Sequence, residues 1–316
     1  MTLATHTSTA LKSAAPHHKL LPRRVRFDLT QSPLHWIPHD PEASYIINSI
    51  HLLLPAGEFW FCRVYNKVLP QIKDERLRSD VQGFIRQEAI HARSHETALE
   101  DYLSAHGVRT AEMLQLASLI FDNLLADRPL GMPDNFMTRR LDGWWLRQRV
   151  GIIAAIEHFT CVFGKWVVES EALNAPNIDP AMLDLFRWHG AEEVEHRNVA
   201  HELHEAIGGT ARERQAWALV VFPALFGLLA LGSNQMMRRD PGVAPDSFFR
   251  RWWRSGKTGT LPSIESVLAA GLRYFEPDYH PDSEAPLELA LAYFAKSPAV
   301  QAAMAREPVQ GKSVAA

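Results

Sequence analysis

Apolar residues recur along most of the chain at steps of three and four, the period of an α-helix. Between about residues 40 and 210 there is no alternating run of Val, Ile and Thr bounded by turns, so a sheet is not expected. Proline before the apolar runs and glycine after them mark helix ends. The pattern predicts helices over about residues 55–68, 75–105, 108–130, 140–173 and 181–207. We therefore expect an all-α protein.

Four of these helices carry polar residues in the middle of an apolar face. The stripe in the second helix is Val81, Phe84, Glu88, His91, His95 and Leu99. The stripe in the last helix is Phe186, His189, Glu193, His196, Ala200, Leu203 and Ile207. Glu58 and Glu157 stand among apolar residues of two further helices. A buried carboxylate without a partner is costly, so such groups must be neutral, paired or bound to a metal.

Two Glu-x-x-His pairs, Glu88 with His91 and Glu193 with His196, are each preceded by a helix with one Glu. Spacing i, i+3 places both members of a pair on one helix face. Four helices with this ligand pattern are typical of the dinuclear carboxylate site of a ferritin-like four-helix bundle. Oxygen and nitrogen ligands favour two Fe ions, with Mn or a mixed Fe/Mn pair as the alternative. The alternative is that these Glu and His residues are solvated on helix faces that point outward and bind no metal.

Neighbouring residues extend the pattern. His189 shares the stripe of Glu193, and we interpret it as a further ligand, with a hydrogen-bonded core histidine as the alternative. His95 is expected to line the site rather than to bind metal. Glu192 and Glu195 fall off the stripe and are expected to be solvated or to support the ligands. The predicted metal ligands are thus Glu58, Glu88, His91, Glu157, His189, Glu193 and His196.

Composition narrows the class of protein. Hydrophobic residues make up 47% of the 316 residues and charged residues 22%, which excludes a disordered chain. The net charge of −3 gives no general reason to expect nucleic acid as a partner. The two cysteines exclude a disulfide framework and favour a reducing, cytoplasmic location.

The organisation along the chain follows from these patterns. Residues 1–26 are basic, rich in Ser, Thr and Ala, and predicted to be a disordered tail, with an organellar presequence as the alternative. Residues 27–305 are predicted to form one helical domain with the bundle core at about 45–210 and an extension at 211–305. Residues 306–316 are predicted to be flexible.

The segment 216–232 contains no charged residue and is flanked by arginines. We expect a helix buried on all sides, which would serve as an apolar wall for a hydrophobic substrate. A membrane span or a peripheral membrane contact is the alternative.

Four stretches together resemble the family called "predicted metal-dependent hydrolase", a ferritin-like group. They are GEFWFCRVYNKVLP, FIRQEAIHARSHE, AAIEHFT and RWHGAEEVEHRNVAHELHEAIGG. The match runs over about residues 27–240, and RYFEPDYHP near 273–281 is similar to the C-terminal signature of the family. The seven candidate ligands also resemble, in type and order, those of di-iron arylamine N-oxygenases. Substrate preference does not transfer from that second likeness.

The pattern leaves three functions open. Glutamate-rich ligation in a bundle favours an oxidase or oxygenase that uses O2 and an electron donor on a small hydrophobic or aromatic substrate. The family name favours hydrolysis by a water between two metals. Iron storage is the third hypothesis, although about 100 residues beyond the bundle have no role in it. A homodimer is a further expectation.

Overall fold

A computed structural model describes residues 18–306 of the chain. Within that range the protein is all-α and no strand is present, which confirms the predicted fold class. The helices of the first half are α1 (Pro41–Asn48), α2 (Leu54–Val68), α3 (Glu75–Ala98), α4 (Ala111–Ser118), α5 (Phe136–Arg139) and α6 (Asp142–Glu169). Those of the second half are α7 (Pro180–His196), α8 (Val199–Ala206), α9 (Ala211–Met237), α10 (Phe248–Thr258), α11 (Ile264–Tyr274), α12 (Leu287–Phe294) and α13 (Pro298–Arg306).

Local signals explain where the main helices begin and end. Asp74 and Asp179 accept hydrogen bonds from the backbone N–H groups of Leu77 and Met182, and so cap α3 and α7. Pro180 occupies the first turn of α7, where it removes no helical hydrogen bond. The predicted last bundle helix is divided, because α7 ends at His196 and α8 begins at Val199.

Helices α2, α3, α6 and α7 pack against one another around a common core. The short connections from α2 to α3 and from α6 to α7 make each of these pairs antiparallel neighbours. The extension covers this core, since α8 and α9 pack on α6 while α12 and α13 pack on α7. The ferritin-like character of the bundle stays a prediction.

The approach of α6 to α7 depends on two glycines. A Cβ atom built on Gly164 would lie 2.3 Å from the backbone oxygen of Gly190. A Cβ on Gly190 would lie 2.7 Å from the Cα of Gly164. Only glycine fits at this crossing, so the pair sets the distance between the helices that carry Glu157 and Glu193.

Helix α9 differs from the expectation of a helix buried on all sides. Leu219, Val220 and Leu231 are 67%, 57% and 56% exposed, while Leu229 on the inner face is 5% exposed. One side of α9 packs on α6 and α1, and the other side meets solvent. By length and composition, α6 and α9 are the helices of residues 18–306 that are apolar enough to cross a membrane.

The N-terminal segment also differs from its prediction. Residues 18–26, assigned by composition to a disordered tail, lie against the bundle, and Leu20 and Val25 are buried. The reason is a set of buried ion pairs at Arg23, described below. The rest of the predicted tail, 1–17, and residues 307–316 fall outside the described residues.

The glycine crossing gives the first prediction. Gly164→Ala should lower the free energy of unfolding by about 2 kcal/mol or more, because the added methyl group overlaps backbone that cannot move aside. The matched control is Gly227→Ala on α9, where nothing lies within 4 Å of the added Cβ. That control should change stability by no more than about 1 kcal/mol, in the stabilising direction. Urea unfolding of both variants checks this, and equal stabilities would refute the close crossing.

Candidate metal centre

The four bundle helices bring the seven predicted residues together in the core. Helix α2 contributes Glu58, α3 contributes Glu88 and His91, and α6 contributes Glu157. Helix α7 contributes His189, Glu193 and His196. None of the seven side chains is exposed by more than 8%. The helical spacing that predicted a shared face therefore produces one buried cluster.

One half of the cluster surrounds His196. Its Nε2 lies 3.3 Å from Oε2 of Glu157 and 3.3 Å from Oε2 of Glu193. Oε1 of Glu88 is 3.5 Å from the same nitrogen. Three carboxylates and one imidazole nitrogen thus face a common point.

The other half surrounds His91 and His189. Nε2 of His189 lies 2.8 Å from Oε1 of Glu193 and 3.5 Å from Oε1 of Glu58. Nδ1 of His91 is 3.5 Å from Oε1 of Glu88 and 3.5 Å from Oε1 of Glu193. Glu88 and Glu193 therefore belong to both halves.

Many polar atoms of the cluster are buried and have no hydrogen-bond partner among residues 18–306. They include both carboxylate oxygens of Glu58, Glu88 and Glu157, Oε2 of Glu193, Nδ1 of His91 and Nε2 of His196. A buried polar atom that lacks a partner costs about 1–3 kcal/mol, and more when it is charged. Cations at the centre would satisfy many of these atoms, since four groups of three Glu and His residues, one of which includes His95, lie close enough together to hold an ion.

The shifts in pKa within the cluster indicate which charge its core favours. Burial, together with the nearby carboxylate of Glu88, raises the pKa of Glu58 well above its usual range. Burial and the charge of Glu193 raise the pKa of Glu157 to about 8. Burial would lower the pKa of His196, but the nearby charges of Glu193 and Glu157 outweigh it and raise the pKa. Without cations the cluster thus takes up protons, so its core favours positive charge.

Hydrogen bonds on the outer side orient two of the imidazoles. Nε2 of His91 lies 2.9 Å from Oε2 of Glu192, a carboxylate that can only accept, so Nδ1 turns its lone pair inward. The side-chain nitrogen of Gln87 donates to Glu195. The Oε1 atom of Gln87 can therefore accept a hydrogen bond from Nδ1 of His196, at 3.3 Å. The Nε2 lone pair of His196 is then directed to the cluster. Partners of this kind fix the tautomer and orientation of metal-binding histidines.

The third imidazole begins a chain of histidines. Nδ1 of His189 lies 2.6 Å from Nε2 of His95, and Nδ1 of His95 lies 2.7 Å from Nδ1 of His51. Burial lowers the pKa of His51 to about 3 and that of His95 well below its usual range, so both rings are neutral. If Nε2 of His189 binds a cation, its Nδ1–H donates to His95, and His95 donates to His51. His95 thus lies in hydrogen-bond contact with the cluster, and together with Glu58 and His189 it is also close enough to hold an ion.

Arg23 completes the support from the N-terminal segment. Its guanidinium donates to Glu192 at 2.8 Å and to Glu195 at 2.7 Å. The side chains of Glu192 and Glu195 are fully buried, and the side chain of Arg23 is 13% exposed. Glu192 and Glu195 are thus not solvated, and Arg23 is the fixed cation that contacts both of them, beside His18 at Glu195 and His91 at Glu192. No local sequence signal connects Arg23 to residues about 170 positions later, so pattern reasoning missed it.

Comparison with known proteins agrees with this site. The family model described as "predicted metal-dependent hydrolase" matches residues 21–285. The chain belongs to this family. The description supports a metal-dependent enzyme and favours hydrolysis over the oxidation that the glutamate-rich ligand pattern favours. No curated protein and no solved structure matches the chain.

Removal of the guanidinium tests the role of the N-terminal segment in this member of the metal-dependent hydrolase family. Arg23→Met should lower the free energy of unfolding by about 3 kcal/mol, because two buried carboxylates lose their cation. The control Arg86→Met removes an exposed side chain that bonds only within its own helix and should cost less than about 0.5 kcal/mol. Urea unfolding measures both. Equal small losses would mean that Arg23 does not neutralise Glu192 and Glu195.

Proposed function

We propose that the chain is a dinuclear metal enzyme whose ligands are the seven clustered residues. The observation that carries this proposal is the set of buried carboxylate and imidazole atoms that face one another and find no hydrogen-bond partner in the described part of the chain. Bundled helices with two Glu-x-x-His pairs and two further Glu residues are the donor arrangement of dinuclear carboxylate proteins. The donors fit two divalent cations.

The two halves of the cluster suggest a division of ligands. Glu157 and His196 would hold one cation, and Glu58, His91 and His189 would hold the other. Glu88 and Glu193, which face both halves, would bridge them. Carboxylate oxygen and imidazole nitrogen suit Fe(II) best, with Mn(II) as the alternative.

Hydrolysis is the first candidate reaction, because the family description names it. A pair of bound cations would lower the pKa of a water enough to make it a nucleophile near neutral pH. Hydrogen bonds from the metal-binding imidazoles to Glu192, Gln87 and His95 would hold these ligands in place. The apolar residues around the cluster would keep bulk water away from it. Substrates of this class are esters, amides or phosphoesters.

Oxidation by O2 is the second candidate, and the donor set favours it. All seven proposed ligands are Glu or His on helices of a bundle, whereas two-metal hydrolases more often bind their metals with Asp and His on loops. An apolar cavity borders Glu193 and His189, as an oxidation of an unreactive substrate would need. The same cavity has no role in iron storage.

Metal content tests the centre itself. Protein loaded anaerobically with Fe(II) or Mn(II) should retain about two ions per chain by elemental analysis. Glu193→Ala should retain about one ion or none, because a proposed bridging ligand is lost, while the circular dichroism of the helices stays the same. Glu96→Ala is the control, since Glu96 is exposed on the same helix as Glu88. Native protein that retains no metal, or a Glu193→Ala variant that retains two ions, would refute the proposed ligands.

The two reactions separate in one pair of measurements. For the hydrolase, metal-loaded protein should cleave members of a panel of uncharged esters, and the activity should disappear in Glu193→Ala. For the oxidase, rapid mixing of the Fe(II)-loaded protein with O2 should produce transient visible absorption. Ester cleavage without transient absorption favours the first candidate, and absorption without cleavage contradicts it.

A further inference from the structure

An apolar cavity of about 120 Å³ adjoins the metal centre. Its walls come from the start of α2, from α6 and α7, and from the inner face of α9. Of its seventeen lining residues, fourteen are apolar or glycine, and the polar ones are Thr160, His189 and Glu193. We call this space the apolar cavity.

The residues that line the apolar cavity differ in exposure. His189 and Glu193, both proposed ligands, are buried, and so is Leu229. Phe159, Phe163 and Leu225 are only partly buried. A bound molecule would therefore reach the metal centre with one end and contact aromatic and aliphatic side chains along the rest of its length.

The lining restricts the charge of any occupant. Among the described residues, no Lys or Arg lines the apolar cavity, and the one acid there, Glu193, is assigned to the metal centre. A charged group held among the apolar side chains, away from that centre, would lose its hydration without gaining a partner, which is unfavourable. An apolar group loses nothing by leaving water, and its burial is favourable.

The volume of the apolar cavity restricts the size of a bound molecule. A cavity of about 150 Å³ lined by Leu, Ile and Phe stays dry and binds benzene. The apolar cavity is slightly smaller and is lined by the same kinds of side chain. One aromatic ring or a short alkyl chain fits this space, and a fused ring system does not.

We propose that the apolar cavity is the substrate pocket of the centre and takes an uncharged group the size of one ring or a short alkyl chain. The reacting end of that substrate lies against Glu193 and His189. This inference rests on the proposed function for the identity of the centre. The cavity itself depends on Leu225 and Leu229 of α9, which gives the inner face of that helix its role.

Benzene binding to the Mn(II)-loaded protein tests the proposal. We expect saturable binding at one site in ligand titrations followed by thermal shift, and enhanced relaxation of the benzene protons by the nearby Mn(II). Leu225→Trp, which fills the cavity, should raise the Kd by at least about ten-fold. Leu219→Trp is the matched control, because Leu219 lies on the same helix but is 67% exposed, and its Kd should stay unchanged.

A second variant at Leu225 and a charged ligand provide two further tests of the proposal. Should Leu225→Trp fail to fold, Leu225→Ala enlarges the space and should bind naphthalene at least about ten-fold more tightly than the native chain does. Cyclohexylammonium, a charged ring that does not coordinate a cation, should bind at least about ten-fold more weakly than benzene. Benzene that does not saturate, that binds Leu225→Trp as tightly, or that shows no Mn(II)-induced relaxation would overturn the proposal, and so would equal binding of cyclohexylammonium. Leu225-dependent benzene binding in a chain that takes up no Mn(II) would refute the metal centre and leave the cavity as a ligand site.

Discussion

Four carboxylates in the core of one helical bundle are the constraint around which the protein is built. Glu58, Glu88, Glu157 and Glu193 are all buried, and most of their oxygens have no hydrogen-bond donor within the described residues. Ions buried without partners cost several kcal/mol each, so a fold that gathers four of them requires compensating positive charge. The raised pKa values of Glu58 and Glu157 show that protons would supply it in a metal-free chain. A pair of divalent cations would supply it without neutralising the carboxylates.

The rest of the architecture positions that cluster. Gly164 and Gly190 let α6 approach α7, so that Glu157 meets His196. Outside the cluster, a layer of Glu192, Glu195 and Gln87 fixes the imidazoles, and Arg23 balances the two acids of that layer. Helix α9 closes the side where His189 and Glu193 meet apolar space. The N-terminal segment and the helices beyond the bundle thus serve the same centre.

Periodicity predicted the helices and the helix faces that carry the seven residues, because both depend on local spacing. Their convergence was expected only because the ligand pattern is typical of a four-helix bundle. A residue three or four positions from another shares its helix face in any fold, so Glu88 and His91 had to point the same way. The partners contributed by distant segments were not accessible to this reasoning. Arg23 and Glu195 meet only through the fold, and composition alone made residues 18–26 look like a tail. The exposed side of α9 was missed for a related reason, since its sequence is apolar all round and only packing shows which face is covered.

The most direct measurement is a crystal structure of the protein loaded with Fe(II) or Mn(II), with anomalous scattering recorded at the absorption edge of the metal. The dinuclear centre predicts two peaks inside the cluster, about 3.5–4 Å apart, with Glu88 and Glu193 between them. Absence of anomalous signal there, with the carboxylates protonated and hydrogen-bonded to one another instead, would contradict it.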